Sequence, residues 1–410
     1  MPLNEKQQQA FDMALSSRIG IITGAPGTGK TFTLKAILEA VREKHWSACL
    51  MAPTGKAAKQ MQKSTGAPAS TIHRALEPAK NLTGGFIFRK NEDNLIDANM
   101  VVVDEMSMVT NDLMADLLRA VDVGKTRLLF VGDHYQLPSV GSGAVLRDFI
   151  ASQIVPCVEL TEIQRNSGDI VRACHRIKDG DNYLTSPKLD PAEGFNFRHI
   201  EAASPREIQQ IIKDIVCKRM PARGYNPVWD IQVLSPVNKK TDLSCKALNK
   251  MLQKQLNPNP RINENVKFRV ADKVIQTKNE IIKGATGRDE YVVNGDMGEI
   301  VKIEYSEKRM AVKFSDPDRI VNIPPFDHHL LLAYCITVHR AQGSEFPVVV
   351  IPLHQSLIYV MNRNWLYTAI SRAQDICITV GQIGVARRAI RTEMTDSRMT
   401  LLKQKLRGEI

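Results

Sequence analysis

Short apolar runs alternate with segments in which apolar residues recur every three or four positions. The run Ile19 to Ile22 precedes a helical spacing from Phe32 to Val41, and Ser47 to Ala52 starts the same alternation again. Met100 to Val103 and Arg127 to Val131 are further runs of this kind. Fully apolar runs of strand length between helical segments are typical of a parallel sheet covered by helices, so the pattern predicts an α/β fold.

Two stretches depart from this alternation. Between Lys267 and Ile323 apolar and polar residues mostly alternate with a period of two, which predicts a small β-barrel inserted at about 267–325. Residues 77–98 contain a shorter insertion, a hairpin that turns at Gly84–Gly85. We therefore expect two α/β domains, 1–150 with the hairpin and 151–410 with the barrel.

The composition indicates which class of partner the protein binds and in which cellular compartment we expect it. The chain has 410 residues, of which 43% are hydrophobic and 24% charged, as in a soluble globular protein. Its net charge of +11 favours a polyanionic partner such as nucleic acid. Seven scattered cysteines without a C-x-x-C pair argue against a zinc site or a disulfide framework and for a reducing compartment. With no apolar run of membrane-spanning length, we expect a cytoplasmic protein without membrane contact.

The segment Gly24 to Thr31 has the spacing G-x-x-x-x-G-K-T between a predicted strand and a predicted helix. Backbone N–H groups of such a loop curl around phosphates, and the helix directs its positive end to the same place. Lys30 is placed to reach the β- and γ-phosphates and Thr31 to hold Mg²⁺. A glycine-rich turn without a ligand is the alternative, and the flanking strand and helix favour nucleotide binding.

Polar residues follow the next strands. Asp104 and Glu105 end the run from Met100, where one carboxylate can anchor Mg²⁺ and the other can polarise the attacking water. Gln136 follows the run that ends at Gly132, where it can sense the γ-phosphate. Arg165 is a candidate finger for that phosphate, and a plain surface arginine is the alternative. Asp133 fits a turn cap.

Several other residues have two interpretations that the sequence does not separate. Gln7 on the first helix fits an adenine contact and a solvated glutamine equally well. Thr54 and Lys56 suit phosphate contacts to a nucleic-acid strand, and a Pro-Thr-Gly turn that caps the next helix is the rival. His73 fits a ligand or a cap. Phe86 and Phe88 lie on one face of the hairpin, where they can stack on a base or pack onto their own domain.

Taken together, the motifs resemble superfamily 1 helicases. The phosphate loop, Asp104-Glu105, Gly132-Asp-x-x-Gln136, His339-x-x-Gln-Gly-Ser-Glu345 and Thr368-Ala-x-Ser-Arg372 occur in that family's order. Ala52-Pro-Thr-Gly-Lys-Ala-Ala and the Gly84-Gly-Phe hairpin are similar to the RecD-like branch, whose members move 5′ to 3′ on single-stranded DNA. The resemblance covers nearly the whole chain and implies two RecA-like parallel-sheet domains, with the hairpin in the first and an Src-homology-3-type barrel in the second.

The resemblance also implies site residues, with ATP and Mg²⁺ as cofactors. The implied catalytic residues are Lys30, Asp104, Glu105, Gln136, Arg165 and Arg372. Nucleotide-binding positions are Gln7, Gly24, Ala25, Pro26, Gly27, Thr28, Gly29, Lys30, Thr31 and Phe32, and the metal ligands are Thr31 and Asp104. DNA-contacting positions are Pro53, Thr54, Lys56, His73, Phe86, Phe88, His339, Gln342, Gly343, Ser344 and Glu345.

The implied function is ATP-dependent DNA unwinding with 5′ to 3′ polarity, in repair and recombination. Expected partners are single-stranded and forked duplex DNA, bound by a monomer, and no nuclease motif is evident. Longer RecD-like proteins carry an N-terminal domain ahead of this core, so the sequence is expected to be a short form or a truncation. An RNA-directed or protein-displacing translocase, and an ATP-gated clamp or accessory subunit, are the alternatives.

Overall fold

The chain forms two units, Met1–Ser167 with Thr395–Ile410, and Gly168–Met394. The structure, a computed structural model, describes residues 2–409 except 81–85, 164–167, 260–266, 285–286, 305, 308, 316–317, 325–328 and 394–399. At Lys80 and Phe86 it describes the backbone alone. Each unit is built around a parallel sheet, which confirms the predicted α/β class.

The first unit has a six-stranded parallel sheet in the order β3-β2-β6-β7-β1-β8. The strands of this unit are β1 Ile19–Gly24, β2 Ala48–Ala52, β3 Ala69–Thr71, β4 Pro78–Lys80, β5 Phe86–Phe88, β6 Met100–Val103, β7 Arg127–Gly132 and β8 Cys157–Leu160. Its helices before residue 168 are α1 Glu5–Ser16, α2 Lys30–Glu43, α3 Gly55–Thr65, α4 Ile72–Ala75, α5 Asn111–Arg119 and α6 Val145–Ser152.

The apolar runs form the centre of this sheet because both of its faces are covered. Side chains of β6 and β7 alternate between two apolar clusters: Val101, Val103 and Phe130 face one, and Val102 and Leu129 face the other. Every residue of β6 is buried. Because β1, β7 and β6 are parallel neighbours, their carboxyl ends lie at the same edge of the sheet, where polar residues can gather.

The hairpin predicted in residues 77–98 forms from β4 and β5, which pair antiparallel with Ala79 opposite Ile87. Its turn at Gly84–Gly85 lies outside the described residues. Phe88 packs against the apolar cluster of the first unit, and its ring lies 5.9 Å from that of His73. Ile87 on the opposite face is 47% exposed. Of the two interpretations of Phe88, the structure supports packing onto the parent domain.

The second unit has a five-stranded parallel sheet in the order β18-β10-β19-β20-β9. The strands of this unit are β9 Phe197–Glu201, β10 Ile231–Ser235, β11 Lys273–Gln276, β12 Glu280–Lys283, β13 Asp289–Val292, β14 Met297–Glu304, β15 Arg309–Ser315, β16 Asp318–Ile323, β17 Leu330–Leu332, β18 Cys335–Thr337, β19 Phe346–Leu353 and β20 Ala373–Gly381. Its helices are α7 Asp169–Lys178, α8 Pro205–Asp214, α9 Cys245–Leu256, α10 Val338–Ala341, α11 Arg363–Ile370 and α12 Ile383–Arg391.

The period-two region forms the predicted antiparallel sheet, in the order β16-β15-β14-β11-β17. It extends beyond the predicted end near residue 325, because β17 pairs with β11 and brings Leu331 opposite Ile275. The prediction missed this strand since Leu330 to Ile336 is one apolar run, which the structure divides between β17 of the barrel and β18 of the parallel sheet.

A buried polar network holds the barrel to the rest of the second unit. It lies at the barrel root, the place where the chain enters and leaves the barrel. Asp272 accepts hydrogen bonds from the Gln253 and Asn257 amides at 2.6 and 2.8 Å, from the Tyr334 hydroxyl at 3.0 Å and from Arg269 N at 2.7 Å. Burial raises the pKa of Asp272, and the four hydrogen bonds oppose this shift because they stabilise the ionised carboxylate. The hydrogen bonds join α9 to the two segments by which the chain enters and leaves the barrel, before β11 and after β17.

The boundary between the units differs from the expected one at residue 150. Strand β8, after that boundary, pairs with β1 and is the edge strand of the first sheet. The helix α13, Leu402–Arg407, also belongs to the first unit, because Leu402 and Leu406 pack against its apolar cluster and Arg407 donates to the Ala151 and Ser152 carbonyls at 3.1 Å. Helix α13 is therefore docked on the first unit through its apolar face.

Among the described residues, none of the helices has the length and apolar character needed to cross a membrane.

Candidate nucleotide and DNA site

The loop between β1 and α2 has the backbone that a phosphate site needs. Gly27 and Gly29 have φ of +75° and +87°, in the left-handed region that residues with a Cβ rarely adopt. Gly29 precedes the 14-residue helix α2, which has no side-chain cap and no acidic residue in its first turn. The first N–H groups and the positive end of the helix dipole therefore remain available to an anion.

Side chains and close backbone packing hold this loop in place. Lys30 reaches back to donate to the Gly24 and Ala25 carbonyls at 2.6 and 3.2 Å, and the Thr28 hydroxyl donates to Ala25 O at 2.8 Å. A Cβ on Gly24 would lie 2.7 Å from Leu160 O, so the strand end accepts only glycine. Thr31 and Phe32 are exposed on the first turn of α2.

Gln7 is buried, with 2% of its surface exposed, so it is not a solvated glutamine. Its Nε2 donates to the Thr28 carbonyl at 3.4 Å, and its Oε1 accepts from Asn4 N at 3.1 Å. The side chain thus lies beside the phosphate loop, as an adenine contact would require.

The two carboxylates follow β6 directly. Asp104 Oδ1 accepts a hydrogen bond from Glu105 N at 2.8 Å, and both side chains are half-buried. Glu105 has φ +52°, a left-handed conformation that costs a non-glycine residue energy and is common at functional sites. The turn thus places two adjacent carboxylates at the end of one strand.

The turn after β7 orders Gln136. Asp133 Oδ1 accepts from Tyr135 N at 3.0 Å, so Asp133 does cap the turn, and its Oδ2 accepts from Gln136 Nε2 at 3.3 Å. Gln136 is 7% exposed, and its buried Oε1 has no hydrogen-bond partner in the described part of the chain. An amide fixed at one end with an open acceptor at the other is suited to contact a bound group or water.

Two polar contacts near the strand ends were not predicted. The Thr23 hydroxyl lies 2.8 Å from His134 Nδ1, which joins the residue before Gly24 to the turn that carries Gln136. Tyr135 also donates to Glu159 Oε1 at 3.0 Å, which ties the same turn to β8. These contacts depend on strand order, which places β7, β1 and β8 side by side and which the local sequence does not show.

The residues expected to hold Mg²⁺ fit that ion chemically. Thr31 and Asp104 offer a hydroxyl and a carboxylate, both hard oxygen donors of the kind that Mg²⁺ prefers. No group of three or more His, Cys, Asp or Glu side chains with metal-binding geometry occurs among the described residues. A site with few protein ligands is the usual arrangement where substrate phosphates complete the coordination of Mg²⁺.

In the second unit, residues 339–345 follow β18 through the short helix α10. His339 and Glu345 are exposed, whereas Gln342, Gly343 and Ser344 are buried. Gly343 has φ +66°, and the Glu345 carboxylate accepts from Gln374 at 2.9 Å.

Arg372, two residues after the end of α11, is held by two main-chain carbonyls and one hydroxyl. Its guanidinium donates to the carbonyls of Thr368 and Ser344, both at 3.3 Å, and to the Ser371 hydroxyl at 3.2 Å. The structure thus connects two motifs that are separate in the sequence, the segment 339–345 and the segment from Thr368 to Arg372.

The expected DNA-contacting residues of the first unit have structural roles as well. Thr54 caps α3, its hydroxyl accepting from Ala57 N at 3.2 Å, which is the alternative that the sequence left open. Pro53 and Lys56 are half-buried beside it. His73 is not a cap, since Thr71 caps α4; its imidazole packs against Phe88, and burial lowers its pKa.

Two predicted residues cannot be placed. Arg165 lies outside the described residues, and so does the side chain of Phe86.

Three known protein families match successive parts of the chain. Residues 2–191 match an AAA domain, residues 332–380 a UvrD-like helicase C-terminal domain, and residues 248–314 the SH3 domain of ATP-dependent RecD-like DNA helicases. The chain belongs to the RecD-like superfamily 1 helicases. The third match also identifies the barrel as an SH3-type domain.

Two curated relatives extend over nearly the whole chain. The ATP-dependent RecD2 DNA helicase of Deinococcus radiodurans is 33% identical over 99% of this chain and 53% of its own length. The RecBCD enzyme subunit RecD of Mycolicibacterium smegmatis is 29% identical over 98% of this chain and 75% of its own. The chain thus spans about half the length of the first of these relatives.

The fold is also similar to solved structures. A Pif1 helicase from Bacteroides, solved with ADP-AlF3 and single-stranded DNA, superimposes with a TM-score of 0.55 at 18% identity, over 96% of this chain and 95% of that one. This similarity supports the assignment of both parallel-sheet domains as RecA-like.

Proposed function

We propose that the protein is an ATP-dependent DNA helicase that moves 5′ to 3′ on single-stranded DNA and separates duplex. The observation that carries this proposal is the arrangement at one edge of the first sheet, where the phosphate loop, two strand-end carboxylates and an ordered glutamine follow β1, β6 and β7. A binding module would need the loop alone, whereas hydrolysis needs the carboxylates and the glutamine too.

Lys30 and the N–H groups at the start of α2 bind the phosphates of ATP. Asp104 and Thr31 would hold Mg²⁺, which supplies charge neutralisation at the phosphates when bound. Glu105 accepts a proton from the attacking water, and Gln136 orients that water by accepting its hydrogen bond at the open Oε1, so that it senses the γ-phosphate through the water. Neutral Gln136 does this without adding charge near the carboxylates.

Arg372 and Arg165 are proposed to neutralise the γ-phosphate from the second half of the chain, so that ATP favours closure of the two units and hydrolysis releases them. Arg372 is suited to this role because carbonyls of Ser344 and Thr368 orient its guanidinium. Arg372 also contacts Ser344, which lies in the segment 339–345 proposed to bind DNA. Through this contact the state of the nucleotide affects how tightly the segment binds DNA.

The hairpin β4–β5 is proposed to contribute to strand separation. Because Phe88 is turned onto its own domain, the exposed Ile87 is the better candidate to meet a base pair. DNA phosphate contacts would supply most of the affinity, in keeping with the net charge of +11, so binding should weaken with salt and depend little on sequence. Roles in repair and recombination, monomeric action and a cytoplasmic location remain part of the proposal.

The test is ATP-dependent unwinding of duplexes that carry only a 5′ single-stranded tail, only a 3′ tail or no tail. We expect strand separation with the 5′ tail alone, and no separation when ATP is replaced by a non-hydrolysable analogue. Separation with only the 3′ tail would reverse the polarity. ATP turnover without separation of any substrate would favour a protein-displacing translocase, and stronger stimulation by RNA than by matched DNA would favour an RNA-directed one.

A further inference from the structure

Asn4 is hydrogen-bonded to Gln7, the residue proposed to contact the adenine base. It is the N-cap of α1, and its Oδ1 accepts from Gln7 N at 2.8 Å. Its own N–H donates to Gln7 Oε1 at 3.1 Å, which completes a reciprocal capping box. In an ordinary capping box these bonds only start a helix, but here the residue at the third position is buried beside the phosphate loop.

The amide of Gln7 can adopt only one orientation in this arrangement. Its oxygen faces the Asn4 N–H, and its nitrogen faces the Thr28 carbonyl at 3.4 Å. Rotating the amide by 180° would place the NH₂ group against a donor and the oxygen against an acceptor. Since Gln7 is 2% exposed, water could not repair the two lost hydrogen bonds.

A fixed amide distinguishes the two purines. After its bonds to Asn4 and Thr28, Gln7 retains one oxygen lone pair and one N–H. That pair matches adenine, which offers an N6 donor beside the N7 acceptor, and conflicts with guanine, which offers acceptors at both O6 and N7. The orientation of the amide therefore determines which base is accepted.

Asn4 is itself anchored by a second contact. Its Nδ2 donates to Glu162 Oε2 at 3.1 Å, across 158 positions of sequence. Glu162 follows β8, the strand whose Leu160 carbonyl packs against Gly24 of the phosphate loop. The contact joins the start of α1 to the segment that closes the other side of the loop.

We propose that Asn4 is a positioning residue for base specificity: its side chain, bonded to Gln7 N and anchored on Glu162, holds its own main-chain N–H where that N–H fixes the Gln7 amide in the orientation that accepts adenine and rejects guanine. This inference rests on the proposed function, since it assumes that the site binds a nucleoside triphosphate.

The test measures base preference in the full chain, with dissociation constants for fluorescent ADP and GDP analogues and with kcat/KM for ATP and GTP. Asn4→Ala removes both side-chain contacts, Asn4→Ser keeps a capping oxygen and loses the bond to Glu162, and Glu162→Ala removes that bond from the other side. Gln8→Ala, on the exposed face of α1, is the control, and thermal melting checks that each variant is folded.

We expect Asn4→Ala to reduce the preference for adenine by about three- to tenfold, through KM and Kd with kcat little changed. Asn4→Ser and Glu162→Ala should each reduce the adenine preference less. The double variant Asn4→Ser with Glu162→Ala should equal either single variant, because both changes remove the same hydrogen bond. Gln8→Ala should match the wild type.

The outcomes separate this inference from the proposed function. An unchanged adenine preference in folded Asn4→Ala and Asn4→Ser would overturn the inference and leave the helicase proposal intact. Equal reduction of binding to both purines would overturn it too, because that result indicates a stability effect on the loop. A wild-type protein that binds and hydrolyses neither nucleotide would overturn the proposed function instead.

Discussion

The two parallel sheets have similar strands and different chemistry at their carboxyl ends. In the first sheet β1 leads through two left-handed glycines into a 14-residue helix, so backbone N–H groups converge on one point. In the second sheet β18 leads into the four-residue helix α10, and the functional candidates are side chains such as Arg372, oriented by carbonyls. The first sheet thus offers backbone N–H groups at its carboxyl end, whereas the second offers a guanidinium that carbonyls hold in place.

The two units also differ in how their insertions are held. The hairpin of the first unit is anchored by apolar packing of Phe88 on His73 and the core. The barrel of the second unit is anchored by the buried Asp272 network and by Lys273, whose Nζ donates to Val228 O at 2.7 Å and Gln232 Oε1 at 3.1 Å. Apolar packing tolerates small shifts, whereas a buried charge requires every partner to stay in place.

The largest effect is expected at the phosphate loop. Lys30→Ala should lower ATP turnover by about a hundred- to a thousandfold, because a preorganised cation at the phosphates is lost. Folding stability should hardly change, since the two hydrogen bonds that the Lys30 ammonium donates within the described residues go to carbonyls of its own loop. DNA-stimulated hydrolysis measures the first effect and thermal melting the second. Lys35→Ala, an exposed lysine on the same helix, is the matched control. Near-normal turnover in Lys30→Ala would contradict the contrast between the sheets.

The second prediction concerns stability at the barrel root. Asp272→Ala leaves buried donors of Gln253, Asn257 and Tyr334 without their acceptor, so we expect the free energy of unfolding of the second unit to fall by about 2–4 kcal/mol. Urea unfolding measures it. Asp242→Ala, at an exposed carboxylate of the same unit, should have little effect. If both variants unfolded alike, the network would not be what holds the barrel.

The smallest effect concerns pH at the hairpin. Burial lowers the pKa of His73 below its usual 6.5, so the folded protein binds this proton less readily than the unfolded chain. The contribution of neutral His73 to stability is therefore complete above pH 6.5 and is lost as pH falls through the lowered pKa. Comparing urea unfolding at pH 7.5 and 5.5, we expect the loss to be smaller in His73→Gln than in the wild type. The control His45→Asn replaces an exposed histidine with a residue that tolerates its left-handed backbone, and should lose as much as the wild type.

The sequence by itself determined the fold class, the family and most of the strand-end chemistry. Its apolar runs are long and fully apolar because both faces of each sheet are buried, and local spacing is enough to recognise the phosphate loop at Gly24–Thr31. The carboxylates of Asp104 and Glu105 could be identified because they immediately follow such a run, and Gln136 because it lies in the turn after the next one.

Only the tertiary structure decided which elements lie side by side. It assigned β8 and α13 to the first unit and β17 to the barrel, because strand pairing and helix docking join residues far apart in sequence. It also turned Phe88 inward and brought Asn4 to Glu162, 158 positions away. Local patterns report which side chains seek burial, and the choice of partner depends on a topology that no short stretch encodes.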